Sequence, residues 1–222
     1  MTTLDATYHL DHDSPEVQGF LDRHLPDRTV PAAAAAVTLY YAVRDGVRYE
    51  VYGADLSRAG LTASAVAAAG SGMCLHKSVL YAALLRAVGV PSKLVLTDVR
   101  NHLTSDRLRE LVGGDVFHYH CLTSVHIGHK WVRATPVFNR LLCKLYRIAP
   151  LEFDGTADSV HHPYDLAGRR NMEFLREHGE FEDLPYDLVI DGFRTAHPNL
   201  LTAGDRVARG SLVVESPLNR RP

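Results

Sequence analysis

The chain has 222 residues, 46% of them hydrophobic, with a formal net charge of −2, which is enough material for one sizeable core. This charge balance leaves no basic footprint for nucleic acid or anionic lipid, so a substrate has to be recognised in a pocket. There is no run of 18 apolar residues and no basic, apolar leader, and three cysteines without framework spacing suit a reducing compartment. The expectation is a cytoplasmic protein that does not engage a membrane, with Cys74, Cys121 and Cys143 as free thiols.

Asp13-Ser14-Pro15-Glu16 supplies a cap, a first-turn proline and an acid at the positive helix end, so a helix is predicted from Pro15 to about Leu25. Pro31 opens a second helix through about Arg44, which Asp45-Gly46 stops, and Val47 to Tyr52 reads as a short extended piece. From Cys74 to Val88 apolar residues surround most of the cylinder, the pattern of a central, buried helix. Gly89 fits its left-handed end, and Pro91 prevents continuation. Ser92 to Val99 reads as a strand, and Ser105 to Val112 as a short surface helix. Val116 to Ile127 and Lys130 to Val137 read as a hairpin turning at Gly128-His129. Beyond it the pattern gives a helix at Arg140 to Tyr146, a loop from Leu151 to Gly168, and a helix near Arg169 to His178. Helices, then a central helix, then strands make an α+β order.

A helix start stabilises negative charge, so Cys74 is placed as a thiolate nucleophile, with Gly70 and Gly72 allowing close approach of a substrate carbonyl. The competing reading is a small buried hydrophobe. In the hairpin, a turn at Gly128-His129 pairs Ile127 with Lys130, His126 with Trp131, Ser124 with Arg133 and Leu122 with Thr135. Alternation then puts His118, His120, Leu122, Ser124 and His126 on one face, with Thr135 diagonal to His120. His118 and His120 are the candidates for a base, because a histidine nearer the turn is ordinarily a surface residue. Cys121 points to the opposite face, into the core.

Gly72-Met73-Cys74, followed by an alanine-rich helix ending Leu85-Arg86-Ala87-Val88-Gly89-Val90-Pro91, resembles the nucleophile segment of the transglutaminase-like superfamily. His120 and Trp131, eleven residues apart, resemble its histidine strand and the tryptophan beyond the turn, and Ala35 to Tyr49 resembles its upstream helix. The resemblance spans roughly residues 14–140. It implies a papain-like α+β core in which a buried helix carries the nucleophile against an antiparallel sheet. It also implies a Cys74 nucleophile and a His120 base in a bacterial acyltransferase or hydrolase that works through a thioester and needs no cofactor or metal. Where the family has an aspartate four residues after the tryptophan, this chain has Thr135-Pro136. Thr135 and Asn139 are therefore the expected third members, with Asp115, Asp154 and Asp165 as alternatives that would fold back to the imidazole.

One domain over residues 1–215 is expected, with 140–215 a cover specific to this type of member and 216–222 a disordered tail. The cover is expected to fold over the cleft, so that Gly72, Met73, His118, Trp131, Asp154 and His162 contact substrate. The substrate class is a small-molecule or carrier-bound acyl group or a peptide amide, passed to an amine, to water, or to an internal carbon in a Dieckmann-type cyclisation. Two other readings stand beside it: a catalytically degenerate peptide-binding or scaffolding protein, and a zinc site built from His118, His120 and Cys74 or Cys121.

Overall fold

The computed structural model describes residues 2–102, 104–161, 164–201 and 207–218. The N-terminal half is helical: α1 (Pro15–His24), α2 (Ala32–Gly46) and α3 (Ala63–Ala69) surround α4 (Cys74–Ala87), and a two-residue parallel ladder joins β1 (Arg48–Tyr49) to β2 (Ser71–Gly72). Pro15 sits in the first turn of α1, Thr62 caps α3 by accepting from the Ala65 N–H, and Gly70 ends α3 at φ 62.

The second half contributes β3 (Ser92–Asn101), α5 (Asp106–Val112), β4 (Val116–Ile127), β5 (Lys130–Ala134), α6 (Arg140–Tyr146), β6 (Met172–Phe181) and α7 (Tyr186–Ala196). The antiparallel sheet runs β5-β4-β3-β6, and α4 packs on β4 and β3. The hairpin has the expected register, His126 opposite Trp131 and Ser124 opposite Arg133, with Gly128 at φ 63 in the turn.

α4 is buried on every side, as its all-round apolar sequence requires, yet it carries polar residues that bond mainly to the backbone of neighbouring segments. Lys77 Nζ donates to the carbonyls of Arg44 and Val47 at 2.9 and 2.6 Å, satisfying the C-terminal end of α2. Arg86 donates to the carbonyls of Asp5, Ser92 and Glu182, and Tyr81 to that of Ala36. A polar side chain bonded to a buried carbonyl fixes a helix in rotation, which apolar contacts alone do loosely.

Three expectations fail here. The segment near Arg169 to His178 is strand β6, not a helix. Glu173, Leu175, Arg176 and Glu177 are good helix formers, but the free edge of β3 pairs with the segment from Leu94–Phe181 to Asn101–Met172, and that ladder outweighs local propensity. β5 ends at Ala134 rather than Val137, because the Thr135 N–H donates to Ser159 O and Pro136 has no N–H for a ladder. The tail was expected to be loose from residue 216, but Ser216 is fully buried; residues 219–222 lie outside the described ones. α7 was not anticipated, although Val189, Ile190 and Phe193 bury one face at helical spacing.

Replacing Lys77 with Met should leave two buried carbonyls without a donor and cost about 2–4 kcal/mol. Urea unfolding of the variant measures the loss; an unchanged midpoint would mean that the α2 end is satisfied another way.

Candidate active site

Two hydrogen bonds set the register between the helix and the strand that carry the candidate residues. Ser78, one turn beyond Cys74, donates through Oγ to Cys121 O at 2.9 Å, and Thr123 Oγ1 donates to Ser78 O at 3.3 Å. Cys74, in the first turn of α4, and His120, next to Cys121 on β4, are thereby held at the wall of one cavity. Met73 and His118 line the same cavity.

The strand reaches this position through a bulge. The β3–β4 register shifts between Thr97 and Val99, and Tyr119 takes φ 55, in the left-handed region that disfavours a side chain. The surroundings enforce it. The Tyr119 N–H donates to Asp98 Oδ1 at 3.1 Å, its ring stacks on His178 at 4.4 Å, and α7 passes so closely that a Cβ on Gly192 would lie 2.0 Å from that ring. Asp98 also holds His178 Nε2 at 2.7 Å and lies 3.1 Å from His118 Nδ1. Burial pushes the Asp98 carboxyl up, but these donors outweigh it and leave the acid below the usual carboxylate range. Strain of this kind persists only where packing over-determines it, and here it turns His118 and His120 toward the cavity.

Cys74 and His120 are both buried, and burial shifts the protonation of each. The Cys74 thiol is pushed up to about 11 by desolvation, which outweighs the backbone N–H groups of Cys121, Leu75 and Cys74 itself. His120 is pushed down to about 4 by the same cause. The helix-start thiolate expected from sequence is therefore not the resting form. At neutral pH the site holds a neutral thiol and a neutral imidazole.

The third position is also not as expected. His120 Nε2 lies 2.9 Å from Nε2 of His161, with ring centroids 4.8 Å apart, so one imidazole donates and the other accepts. His161 arrives because the chain before it lies along β5: the Arg133 N–H donates to Asp158 Oδ1, the Ser159 N–H to Arg133 O, and the Thr135 N–H to Ser159 O. Phe138 and Phe174 flank its ring at 5.6 and 5.9 Å. The pairing that was to bring Thr135 diagonal to His120 ends one residue earlier, and Thr135 Oγ1 is buried without a partner. Asn139 begins α6, where its Oδ1 is likewise unpartnered. The alternative acids point elsewhere: Asp115 toward Arg100, Asp154 to Thr156, and Asp165 to Arg169.

Several expected substrate contacts also fall away from the cavity. Trp131 is 40% exposed on β5, with Lys93 Nζ 4.8 Å above its ring. Asp154 is exposed and closes a turn with Thr156. Gly72 is small for another reason: a Cβ there would lie 2.5 Å from the Cβ of His76. His162 lies outside the described residues. The C-terminal third does shape the cavity, but through Ile148, Met172, Phe193 and Leu212 rather than through Asp154. Among the described residues no group of three or more His, Cys, Asp or Glu is arranged for a metal ion, and His118 and His120 are engaged by Asp98 and His161.

His161 was missed because it lies 41 residues from His120. Only the histidine-rich composition of its loop hinted at a role, and no spacing connects the two.

The buried histidines give a pH dependence. His120 and His76 are both held near 4 by burial, whereas the unfolded chain takes up these protons near 6.5. The unfolded state therefore binds more protons between these values. Stability should be full above about pH 6.5 and decline toward pH 4, by on the order of 3 kcal/mol per histidine. Denaturant titrations from pH 7.5 to 4.5 test this, and His120→Gln should flatten the slope. An unchanged slope in that variant would show that His120 does not contribute.

The transglutaminase-like superfamily matches the sequence over residues 23–136, which brackets Cys74, His120 and Trp131. No curated protein matches the chain. A solved structure of a candidate cysteine protease from Cytophaga hutchinsonii is similar at 14% identity and a TM-score of 0.44, covering 80% of this chain and 52% of that one. The chain thus spans about half the length of that protein.

Proposed function

The chain belongs to the transglutaminase-like superfamily, and on that footing we propose that it is a cysteine-dependent acyl-transfer enzyme with Cys74 as nucleophile and His120 as base. The observation that carries this reading is the joint placement of Cys74 and His120 at the wall of one cavity, with Nε2 of His120 paired to His161 at 2.9 Å.

If the His120 Nε2–H donates to His161, Nδ1 is left bare to accept the thiol proton. The sulfur then attacks the acyl carbonyl as that proton passes to Nδ1. An S–C bond forms, the bond from carbonyl carbon to leaving group breaks, and the proton moves on to the departing group. The free N–H groups at the start of α4 face the oxygen on which negative charge develops. The thioester is next opened by water, an amine or an internal carbon nucleophile, with His120 taking the attacking proton.

His161 accepts one hydrogen bond and adds no negative charge. It therefore orients the ring, as a carboxylate would, without stabilising imidazolium to the same degree. This suits a pair that starts neutral and moves its proton only in the transition state. A second reading, a degenerate binding protein, draws on the missing carboxylate at Thr135; the His161 contact argues against it.

A p-nitrophenyl ester should leave an acyl adduct on Cys74 by intact-mass and peptide mapping, and none on Cys74→Ala. His120→Ala should slow acylation about 10²–10⁴-fold. His161→Ala should slow it less, with partial recovery in His161→Gln, whose amide oxygen accepts the same hydrogen bond. An adduct elsewhere, or full rate in His120→Ala, would sink the assignment.

Labelling of Cys74 by iodoacetamide should climb steadily from pH 6 to 9, because the thiol titrates near 11. A plateau spanning this range would instead report a preformed thiolate–imidazolium pair.

A further inference from the structure

We propose that the cavity beside Cys74 is built for an uncharged, largely hydrocarbon acyl chain about eight to ten carbons long, which names the substrate class within the acyl-transfer reading above and rests on it.

The lining carries the argument. Among the described residues no Asp, Glu, Lys or Arg reaches the cavity, and most of the wall is aliphatic or aromatic, contributed by β1, β3, α5, α6 and α7. A glutamine or peptide amide would need polar partners in the wall, because a buried amide without them loses its hydrogen bonds to water.

Apart from the Tyr49 hydroxyl, which lies in the field of Cys74, the polar groups that line the cavity are already engaged. Ser105 Oγ donates to Glu215 and accepts from the Leu108 N–H, and Thr104 Oγ1 donates to Asn101 O. His197 uses one nitrogen on Val112 O and the other on the His118 N–H, while His118 Nδ1 faces Asp98. Tyr146 donates to Leu212 O, and Asn101 and Asn171 have partners of their own. Polar recognition is thus concentrated around Cys74 and His120, where a carbonyl would sit, and what remains for the rest of the ligand is apolar surface.

The sheet sets the length. His120 is opposite Thr97 on β3, and the cavity continues past Val99 to Asn101, four residues further along that strand. At about 3.3 Å per residue this is roughly 13 Å. An extended chain advances about 1.3 Å per bond, so about ten bonds fill it.

The test separates binding from chemistry. Uncharged primary carboxamides from acetamide to dodecanamide are titrated into Cys74→Ala by calorimetry, and p-nitrophenyl esters of the same chain lengths are given to the intact enzyme. Affinity and acylation rate should both rise with chain length, by up to about fourfold per methylene, to an optimum near eight to ten carbons. Leu108→Trp, confirmed as folded by circular dichroism, should move the optimum to shorter chains. Carboxamide affinity independent of chain length, or acetyl and glutamine-like substrates favoured over octanoyl, would overturn the inference. Chain-dependent amide binding with no acyl adduct from any ester would support the pocket and instead overturn the catalytic reading.

Discussion

The structure depends most on the docking of the first turns of α4 against β4. Ser78 takes the carbonyl of Cys121 and gives its own carbonyl to Thr123, so a helix and a strand that meet only in tertiary structure share two directed hydrogen bonds. Hydrophobic burial brings such elements together but is indifferent to a slide of an ångström or two. Buried hydrogen bonds are not, because a slide leaves polar groups unpaired. Cys74 lies four residues before Ser78 and His120 one residue before Cys121, so this single contact sets where the thiol stands relative to the imidazole.

Other polar groups of α4 reinforce it. Lys77 holds the end of α2 and Arg86 gathers three carbonyls, so the helix cannot rotate without exposing several buried acceptors. On the strand side, the bulge at Tyr119 is held by Asp98, His178 and the close pass of Gly192 on α7. The site is therefore supported from both ends of the chain: Cys74 by the helical half, His120 by the C-terminal elements that follow the family segment.

The contact between His120 and His161 is made by a segment far along the chain. A parallel bridge between Ala134 and Ser159 lays the later loop along the edge of β5 and brings His161 to the His120 nitrogen, where Thr135 or Asn139 was expected. Burial favours the neutral forms of both Cys74 and His120. A neutral acceptor is compatible with that state, whereas a buried carboxylate would draw charge onto the imidazole. A largely apolar cavity wall and neutral forms of Cys74 and His120 are consistent with each other.

The sequence by itself determined what is local. Caps, prolines and glycines marked α1, α2, α4 and α6 to within a residue or two, and the turn at Gly128-His129 together with alternation set the β4–β5 register. The spacing of Cys74, His120 and Trp131 was enough to suggest the family, because these residues sit on elements whose periodicity is written in neighbouring side chains. Tertiary structure decided what depends on distant partners. It made β6 a strand because β3 had an open edge, placed His161 rather than Thr135 or Asn139 against His120, and removed Trp131 and Asp154 from the cavity. It also reversed the expected state of Cys74: a helix start favours a thiolate, but desolvation on every side costs the charge more than a few N–H groups return, and burial is a property of the assembled fold.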